Sequence, residues 1–308
     1  MTITLPSYAK INWTLEILGK RPDGYHELRT LLQTVSVADT LRFTKLEKGI
    51  KVHCDHPEVP TDERNLVHQA ARLLNEYTGI ERGVRIEIKK RIPTAAGLGG
   101  GSSNAAMTLL ALRKLWEVEI PPRDLFTLGS RLGADVPFFF LGGTCLGVGR
   151  GDEIYPVAEI AADCLLLVNA GILVPTREVY ANLPPELTNP TGLVKMPLSL
   201  EVAYLHEAAR ERAQENLGNQ LHNDLEIPVL PRYPRLQEVQ GELREYGARG
   251  TLMSGSGSTV FAIFDNDQAR QEAVRELRAS GWWCAPVRTL GRREYRASLA
   301  DAGASLDA

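Results

Sequence analysis

A glycine-rich segment that joins a strand pattern to a helix pattern constrains this chain more than any other feature. The segment runs Pro93-Thr-Ala-Ala-Gly-Leu-Gly-Gly-Gly-Ser-Ser-Asn104. Before it, residues 84–92 begin by alternating apolar and charged side chains, which predicts a strand with one buried face. After it, apolar residues from Ala105 to Trp116 recur at helical spacing, and we expect Ser102 or Ser103 to cap that helix. The predicted order is therefore strand, glycine loop and helix.

Such a loop is well suited to holding phosphate groups. Glycine lets the backbone adopt positive φ and brings N–H groups close to a ligand, because no Cβ stands in the way. The unpaired N–H groups and the positive dipole end of the following helix converge on one point, and serine hydroxyls there can bind phosphate or Mg²⁺. The segment is not a Walker A or G-x-G-x-x-G motif, because Ser102 stands where those motifs require lysine or glycine. A tight turn that only packs helix against strand is the competing interpretation.

Composition limits the classes of protein that fit this chain. Its 308 residues are 44% hydrophobic and 24% charged, the balance of a globular protein long enough for two domains. The formal net charge of -3 argues against a general nucleic-acid binder. No apolar run is long enough to span a bilayer, and no signal peptide is recognisable at Met1. We therefore expect neither a nucleic-acid nor a membrane partner.

Cysteine and histidine spacing argues against a disulfide framework or a metal site. The residues Cys54, Cys145, Cys164 and Cys284 are scattered and form no C-x-x-C pair, which fits a reducing cytoplasm. The run His53-Cys54-Asp55-His56 contains ligand-type residues, but they are consecutive and no second cluster completes a tetrahedral site. We therefore expect no metal-ligating residues of this kind.

Helix and strand patterns are mixed along the chain without strict alternation, which predicts the α+β class. Helices are expected at 65–77, 123–132, 200–214, 235–246 and 267–280, and strands at 164–168 and 259–264. Glycines between positions 142 and 152 indicate strands joined by tight turns.

Three segments resemble the signature motifs of the GHMP kinase superfamily, in the same order and with similar spacing. They are Ser7-Tyr-Ala-Lys-Ile-Asn-Trp-Thr-Leu15, the loop from Pro93 to Ala106, and Gly255-Ser-Gly-Ser-Thr-Val-Phe261. The resemblance implies a two-domain kinase that uses ATP and Mg²⁺, with its active site in the cleft between the domains. It implies an N-terminal ATP-binding domain at 1–153, a C-terminal substrate-side domain at 154–292 and a flexible tail at 293–308.

Two further segments narrow the resemblance. Gly19-Lys-Arg-Pro-Asp-Gly-Tyr-His-Glu-Leu28 and Leu132-Gly-Ala-Asp-Val-Pro-Phe-Phe139 are similar to segments of those members that phosphorylate the 2-hydroxyl of a cytidine-diphosphate-linked methylerythritol, in non-mevalonate isoprenoid biosynthesis. The similarity implies that Asp135 is the base facing the acceptor hydroxyl, with Lys10 beside it. This pairing suits phosphoryl transfer, because an ammonium favours the ionised carboxylate and stabilises charge on the oxygens in transit. On sequence alone, a surface ion pair or no contact at all is the competing interpretation.

The same resemblance assigns residues to the two ligands. Tyr25 and His26 would hold the cytidine, and Tyr180 would supply the second face of an aromatic sandwich. Asn12 and Thr176 would hydrogen-bond the substrate. ATP would be bound by Asn65, Lys90, Pro93, Thr94, Ala95, Ala96, Gly97, Leu98, Gly99, Gly100, Gly101, Ser102, Ser103 and Asn104. Lys90 as a solvated strand residue and Tyr180 as a core or rim aromatic are the alternatives.

Two other functions stay open at this point. A homoserine or mevalonate kinase of the same superfamily is the nearest alternative, but those enzymes have no cytidine for Tyr25 and His26 to hold. A nucleotide-binding regulator without turnover is the alternative from a different class, and the presence of both Lys10 and Asp135 argues against it. The sequence leaves the oligomeric state and any role of His222 open.

Overall fold

A computed structural model describes residues 1–188 and 217–300 of the chain, so the helix expected at 200–214 lies outside the described residues. Within them, strands pair into two sheets. The strands are β1 Thr2–Lys20, β2 His26–Leu46, β3 Ile50–Cys54, β4 Gly83–Lys89, β5 Thr144–Val148, β6 Glu153–Pro156, β7 Leu165–Asn169, β8 His222–Asn223, β9 Gly250–Met253, β10 Val260–Ile263 and β11 Trp283–Val287.

Helices cover both sheets. They are α1 Leu66–Thr78, α2 Gly100–Leu115, α3 Pro122–Leu132, α4 Phe138–Leu141, α5 Thr176–Ala181, α6 Pro185–Thr188, α7 Glu226–Val229, α8 Pro234–Glu245, α9 Asp267–Ala279 and α10 Arg292–Ala300. Of these, α1, α3, α8 and α9 begin and end near the predicted positions. Sheets and helices are mixed without strict alternation, which confirms the α+β class. In residues 1–188 and 217–300, every helix is too short or too polar to cross a membrane.

The larger sheet is organised around a long hairpin formed by β1 and β2. Its strand order is β3-β4-β2-β1-β8, with β5 pairing to β2 and β6 to β5. The two hairpin strands are antiparallel and joined by a turn in which Gly24 has φ +86°. Because successive strand residues face opposite sides of a sheet, Lys10 and Asn12 share one face of β1. The segment 7–15 lies on β1, and the segment 19–28 forms the turn from β1 to β2. The hairpin therefore brings both segments into one sheet.

Helix α2 runs through the middle of the core and carries the glycine loop at its start. All its residues from Ser103 to Leu112 are buried, against α1, α3 and the hairpin strands. The helix begins at Gly100, earlier than expected, and its N-cap is Gly99, whose φ is +66°. The prediction that Ser102 or Ser103 caps the helix is wrong, because both serines lie inside the first turn. The first helical N–H groups therefore have no side-chain cap.

The smaller sheet has the strand order β11-β7-β10-β9, and one of its faces packs on α8 and α9. The opposite face joins the hairpin strands in a second apolar cluster that contains Trp13 and Phe261. Their rings meet edge to face with centroids 5.5 Å apart. The two sheets thus share this second cluster.

The expected flexible tail is wrong for residues 293–300. They belong to α10, in which Tyr295 is fully buried and Leu299 is 3% exposed. The Tyr295 hydroxyl donates a hydrogen bond to the Phe139 carbonyl. Tyr295 and Leu299 are four residues apart and therefore lie on one helix face, an apolar stripe that the many arginines of this segment conceal in the sequence.

Candidate active site

A single cavity of about 1260 Å³ lies at the N-terminus of α2. Its wall combines β1, the hairpin turn, the glycine loop, α5 and the loop after β9. Every predicted site residue lines this cavity except Ser103. Ser103 is fully buried, and its hydroxyl accepts a hydrogen bond from the Ser7 hydroxyl at 2.7 Å. The side chain of Ser103 therefore anchors α2 to β1, and its prediction as a ligand contact is wrong.

Three of the four loop glycines pack closely against protein. A Cβ at Gly97, where φ is +74°, would lie 2.0 Å from the Ser254 carbonyl oxygen. A Cβ at Gly99 would lie 3.0 Å from Lys10 Cγ, and one at Gly100 would lie 3.1 Å from Ile92. Gly101 differs, because it is exposed and its Cβ would meet only Leu66, at 3.6 Å. Gly101 is therefore the loop glycine whose lack of a side chain leaves space chiefly in the cavity.

The three GHMP-like segments meet around the side chain of Lys10. A Cβ at Gly255, where φ is +56°, would stand 3.1 Å from Lys10 Nζ. The lysine therefore passes between Gly99 of the second segment and Gly255 of the third, where a Cβ would be tight and the positive φ of both residues favours glycine. The second and third segments are also joined directly, because Thr259 N donates to the Ala96 carbonyl at 3.2 Å. Lys10 is 3% exposed, so its ammonium is held in a defined place.

Lys10 and Asp135 form the charged centre of the cavity. Lys10 Nζ lies 3.6 Å from Asp135 Oδ2 and donates a hydrogen bond to Asn12 Oδ1 at 2.7 Å. The Asn12 amide in turn donates to the Thr30 hydroxyl at 2.7 Å. Asp135 follows α3, and its side chain keeps 37% of its surface exposed. The lysine is nearly buried, so this is not a surface ion pair, and its partner carboxylate is open to a ligand.

Aromatic rings occupy the opposite end of the cavity from the loop. The rings of His26 and Tyr180 are stacked with centroids 5.3 Å apart and planes at 30°. Tyr25 is 57% exposed, and the Arg150 guanidinium lies over its ring at 5.1 Å. His26 rather than Tyr25 is therefore the member of this adjacent pair whose ring contacts Tyr180. Arg150, within Gly-Arg-Gly, is a cavity residue that the sequence reading missed.

The charge of Asp135 reaches this aromatic end. Burial raises the pKa of Tyr180, and the nearby Asp135 carboxylate raises it further. Burial lowers the pKa of His26, and the positive charge of Lys20 lowers it further. Both aromatic side chains are therefore favoured in their neutral forms, as hydrogen-bonding groups with an apolar ring face.

Asn65 and Lys90 line the end of the cavity beyond the loop, and both also have structural partners. Asn65 caps α1, with its Oδ1 accepting from Val67 N at 3.0 Å. Lys90 Nζ donates to Asp39 Oδ2 at 2.7 Å, and its side chain is 6% exposed. The reading of Lys90 as a solvated residue is therefore wrong. Asp39 was missed because one buried aspartate leaves no pattern in a sequence.

The run His53-Cys54-Asp55-His56 spans the end of β3 and does not line the cavity. Asp55 Oδ1 accepts from Lys90 N at 2.7 Å, and His56 Nδ1 accepts from Glu58 N at 3.4 Å. Across the described ranges 1–188 and 217–300, histidine, cysteine and acidic side chains form no group of three placed to hold a metal ion.

Comparisons with known proteins agree with this geometry. Two family models match, GHMP kinases N terminal domain over residues 65–143 and GHMP kinases C terminal over residues 205–281. The chain is 42% identical over 277 residues to the 4-diphosphocytidyl-2-C-methyl-D-erythritol kinase of Syntrophus aciditrophicus (strain SB), covering 90% of this chain and 95% of that protein. It is 37% identical to a crystal structure of 4-(cytidine 5'-diphospho)-2C-methyl-D-erythritol kinase, with a TM-score of 0.76, covering 94% of this chain and 100% of that one.

A more distant likeness concerns the fold alone. The crystal structure of a homoserine kinase from Cytophaga hutchinsonii matches with a TM-score of 0.68 at 20% identity, covering 96% of each chain. The matches confirm both the two-domain α+β fold and the superfamily inferred from the three motifs. On the two family models and the close relatives, the chain belongs to the GHMP kinase family.

Proposed function

We propose that this protein transfers the γ-phosphoryl group of ATP to the 2-hydroxyl of 4-diphosphocytidyl-2-C-methyl-D-erythritol, a step of non-mevalonate isoprenoid precursor biosynthesis. One observation carries the proposal. A single cavity joins an uncapped helix N-terminus to an aromatic cluster, and the Lys10–Asp135 pair lines the same cavity. The relatives described above are named for this activity, and their similarity to this chain extends over nearly their whole length. They support the same acceptor.

The residues divide the work of an in-line phosphoryl transfer between them. The N–H groups at the start of α2 bind the phosphates of ATP, because they precede the first intrahelical bond, from Ser103 N to Gly99 O. Lys10 stabilises negative charge on the transferring group. Asp135 orients the acceptor hydroxyl and takes its proton while the hydroxyl oxygen bonds to the γ-phosphorus and the bond to ADP breaks.

Mg²⁺ fits this site as a companion of ATP. The Ser102 hydroxyl lines the cavity and is a hard oxygen ligand of the kind that Mg²⁺ prefers, but it cannot form a cage made of protein alone. The ion would therefore be held by this hydroxyl and the phosphates together. When bound, it supplies further charge neutralisation to the phosphoryl group.

Acceptor recognition belongs to the aromatic end of the cavity. The exposed ring of Tyr25 offers a stacking face to cytosine, with Tyr180 as the second aromatic wall and the His26 ring nitrogens to bind the edge of the base. Thr176 and Asn12 line the path from this end to Asp135. The four cysteines are free thiols, which fits an enzyme of the reducing cytoplasm.

The test of the acceptor is ADP release with a panel of alcohols. We expect turnover with the cytidylyl substrate, and none with free methylerythritol, homoserine or mevalonate. Tyr25→Ala should raise KM for the cytidylyl substrate by about tenfold to a hundredfold, because base stacking on an aromatic ring contributes about 1–3 kcal/mol. KM for ATP should stay unchanged.

Tyr155→Ala is the matched control for Tyr25→Ala. Tyr155 is 54% exposed, close to the 57% of Tyr25, but it lies outside the cavity. The Tyr155→Ala variant should have the KM values of the parent for the cytidylyl substrate and for ATP. Equal turnover of free methylerythritol and its cytidylyl form would refute the acceptor. ATP binding without turnover of any alcohol in the panel would favour the regulator.

The role of the loop can be tested at Gly101. A valine there should fit the fold, because its Cβ would have ordinary contact with Leu66, yet its methyl groups would enter the cavity at the helix N-terminus. Hydrogen bonds to charged groups contribute about 1.5–3 kcal/mol each, so losing one should weaken ATP binding at least about tenfold. Calorimetric titration with a non-hydrolysable ATP analogue measures this. Gly241→Val, at an open position of α8, is the control, and ATP affinity equal in the two variants would exclude the loop as the phosphate site.

A further inference from the structure

A buried carboxylate beneath the glycine loop takes no part in the steps above. Asp39 lies on β2 and is fully buried. Its Oδ1 accepts hydrogen bonds from Arg91 N at 2.7 Å and Ile92 N at 2.9 Å. Its Oδ2 accepts from Lys90 Nζ at 2.7 Å and from Asn104 Nδ2 at 3.2 Å. Four donors thus converge on one side chain.

These donors come from the two ends of the loop. Residues 90–92 directly precede the loop, and Asn104 follows it within the first turns of α2. Asp39 Oδ1 accepts from the backbone N–H groups of residues 91 and 92, before the loop. Oδ2 accepts from the Lys90 ammonium and from the side-chain amide of Asn104, in the first turns of α2. The carboxylate therefore fixes the distance between the segment that leads into the loop and the helix that follows it.

Stability alone is a poor reason to keep a carboxylate here. Burying an ion is costly even when it is paired, and well-packed apolar residues can often replace a buried ion pair without loss of stability. A carboxylate can do what an apolar side chain cannot, which is to set four donors in fixed directions. The Lys90 ammonium that it holds lies 3.2 Å from where a Cβ of Gly100 would stand, directly under the first helical residue.

We propose that Asp39 is a positioning residue for nucleotide binding, which holds the N-terminus of α2 and the preceding backbone in the arrangement that receives phosphate. The inference rests on the proposed function only in taking the ligand of the loop to be ATP. It places the effect of Asp39 on ATP and not on the acceptor, because the aromatic side chains lie on α5 and at the hairpin-turn end of β2, whereas Asp39 lies farther along that strand.

Asp39→Asn keeps one oxygen of the carboxylate and replaces the other by an NH₂ group. The asparagine oxygen can still accept from Arg91 N and Ile92 N, whereas its NH₂ group faces two donors, Lys90 Nζ and Asn104 Nδ2. We expect the dissociation constant of a non-hydrolysable ATP analogue, measured without acceptor, to rise about tenfold or more. KM for the acceptor should stay within about twofold, a change too small to mark a lost hydrogen bond.

Glu159→Gln is the matched control. The Glu159 carboxylate also accepts from two backbone N–H groups, those of Thr144 and Arg292, and lies 3.3 Å from the Arg292 guanidinium, but it does not line the cavity. It should cost no more thermal stability than Asp39→Asn, because the Glu159 side chain is 34% exposed, and it should leave affinity for the ATP analogue at that of the parent. An Asp39→Asn protein that binds the analogue as tightly as the parent, or that loses ATP and acceptor binding equally, would overturn the proposal.

Asn104→Ala and amide hydrogen exchange provide a second test if Asp39→Asn does not fold. Asn104→Ala keeps the Asp39–Lys90 ion pair and removes only the hydrogen bond between Asp39 and α2. We expect faster exchange across residues 97–104 in the nucleotide-free protein, together with weaker binding of the ATP analogue. Weaker binding with unchanged exchange would mean a direct contact of Asn104 with the nucleotide, and would count against positioning by Asp39. Both tests use the ATP analogue alone, so failure to phosphorylate the cytidylyl acceptor would refute the proposed function separately.

Discussion

Replacing Asp135 by asparagine should slow phosphoryl transfer by roughly 10²- to 10⁴-fold, the usual contribution of a general base. Asparagine keeps the size of the side chain and can still accept a hydrogen bond, but it cannot take the proton of the acceptor hydroxyl. The 37% exposure of the Asp135 side chain leaves the fold little dependent on its charge. Binding of ATP and of the acceptor should therefore barely change, and the loss should fall on the chemical step.

Single-turnover phosphoryl transfer, with both substrates saturating, measures that step directly. Asp124→Asn is the control, because Asp124 is a partly exposed aspartate on α3 whose carboxylate accepts a hydrogen bond from Tyr77, away from the cavity. It should react at the rate of the parent. A chemical step in Asp135→Asn within about threefold of the parent would leave too little room for general-base catalysis. Asp135 would then be a positioning residue.

Helices and strands with a strong local hydrophobic period could be predicted from the sequence. Those that depend on contacts between distant residues could not. The patterns for α1, α3, α8 and α9 match helices in the structure to within a few residues. The long strand β1 was not predicted, because Pro6 and buried polar residues such as Ser7, Lys10 and Asn12 interrupt its apolar alternation. Those polar side chains are buried because they serve one another and the cavity, which no local pattern records.

The glycine loop was predicted in the right place with an incomplete reason. Its glycines were expected to open the backbone to phosphate, and the competing interpretation was close packing. The structure assigns the close packing to Gly97, Gly99 and Gly100, and leaves Gly101 facing the cavity. Ala95 has φ +48°, so one alanine of the loop adopts a backbone conformation that glycine adopts more readily. The neighbours that decide between these reasons include Lys10 on β1 and Ser254 in the loop after β9, both far away in sequence.

Facing directions explain where the predicted aromatic site differed. The pair Tyr25-His26 was correctly predicted to lie at an exposed turn, and Tyr180 lies near it. Which member of the pair meets Tyr180 depends on the exact start of β2, since a shift of one residue exchanges the two faces of a strand. That register is fixed by pairing along the whole of β1, and Arg150 enters the same corner from the turn after β5. Sequence spacing gives neither relation.

Lys10→Met should lower turnover by roughly 10²- to 10³-fold, the usual effect of losing one preorganised group that stabilises transition-state charge. Methionine has a similar length and can follow the same path between Gly99 and Gly255, so packing should largely survive. The variant also leaves Asn12 Oδ1 without its ammonium donor, which predicts some loss of stability. Denaturant unfolding measures that loss separately from activity.

The double variant Lys10→Met/Asp135→Asn distinguishes a catalytic unit from two independent residues. Lys10 Nζ and Asp135 Oδ2 are 3.6 Å apart, close enough for their effects to couple. If the ammonium and the carboxylate act on the same transferring group, removing the second should cost far less than removing the first, and the two losses should not multiply. The measurement is again the single-turnover rate with both substrates saturating. Single losses that multiply fully in the double variant would mean that Lys10 acts on the phosphates independently of Asp135, and the charged centre of the cavity would then be two sites rather than one.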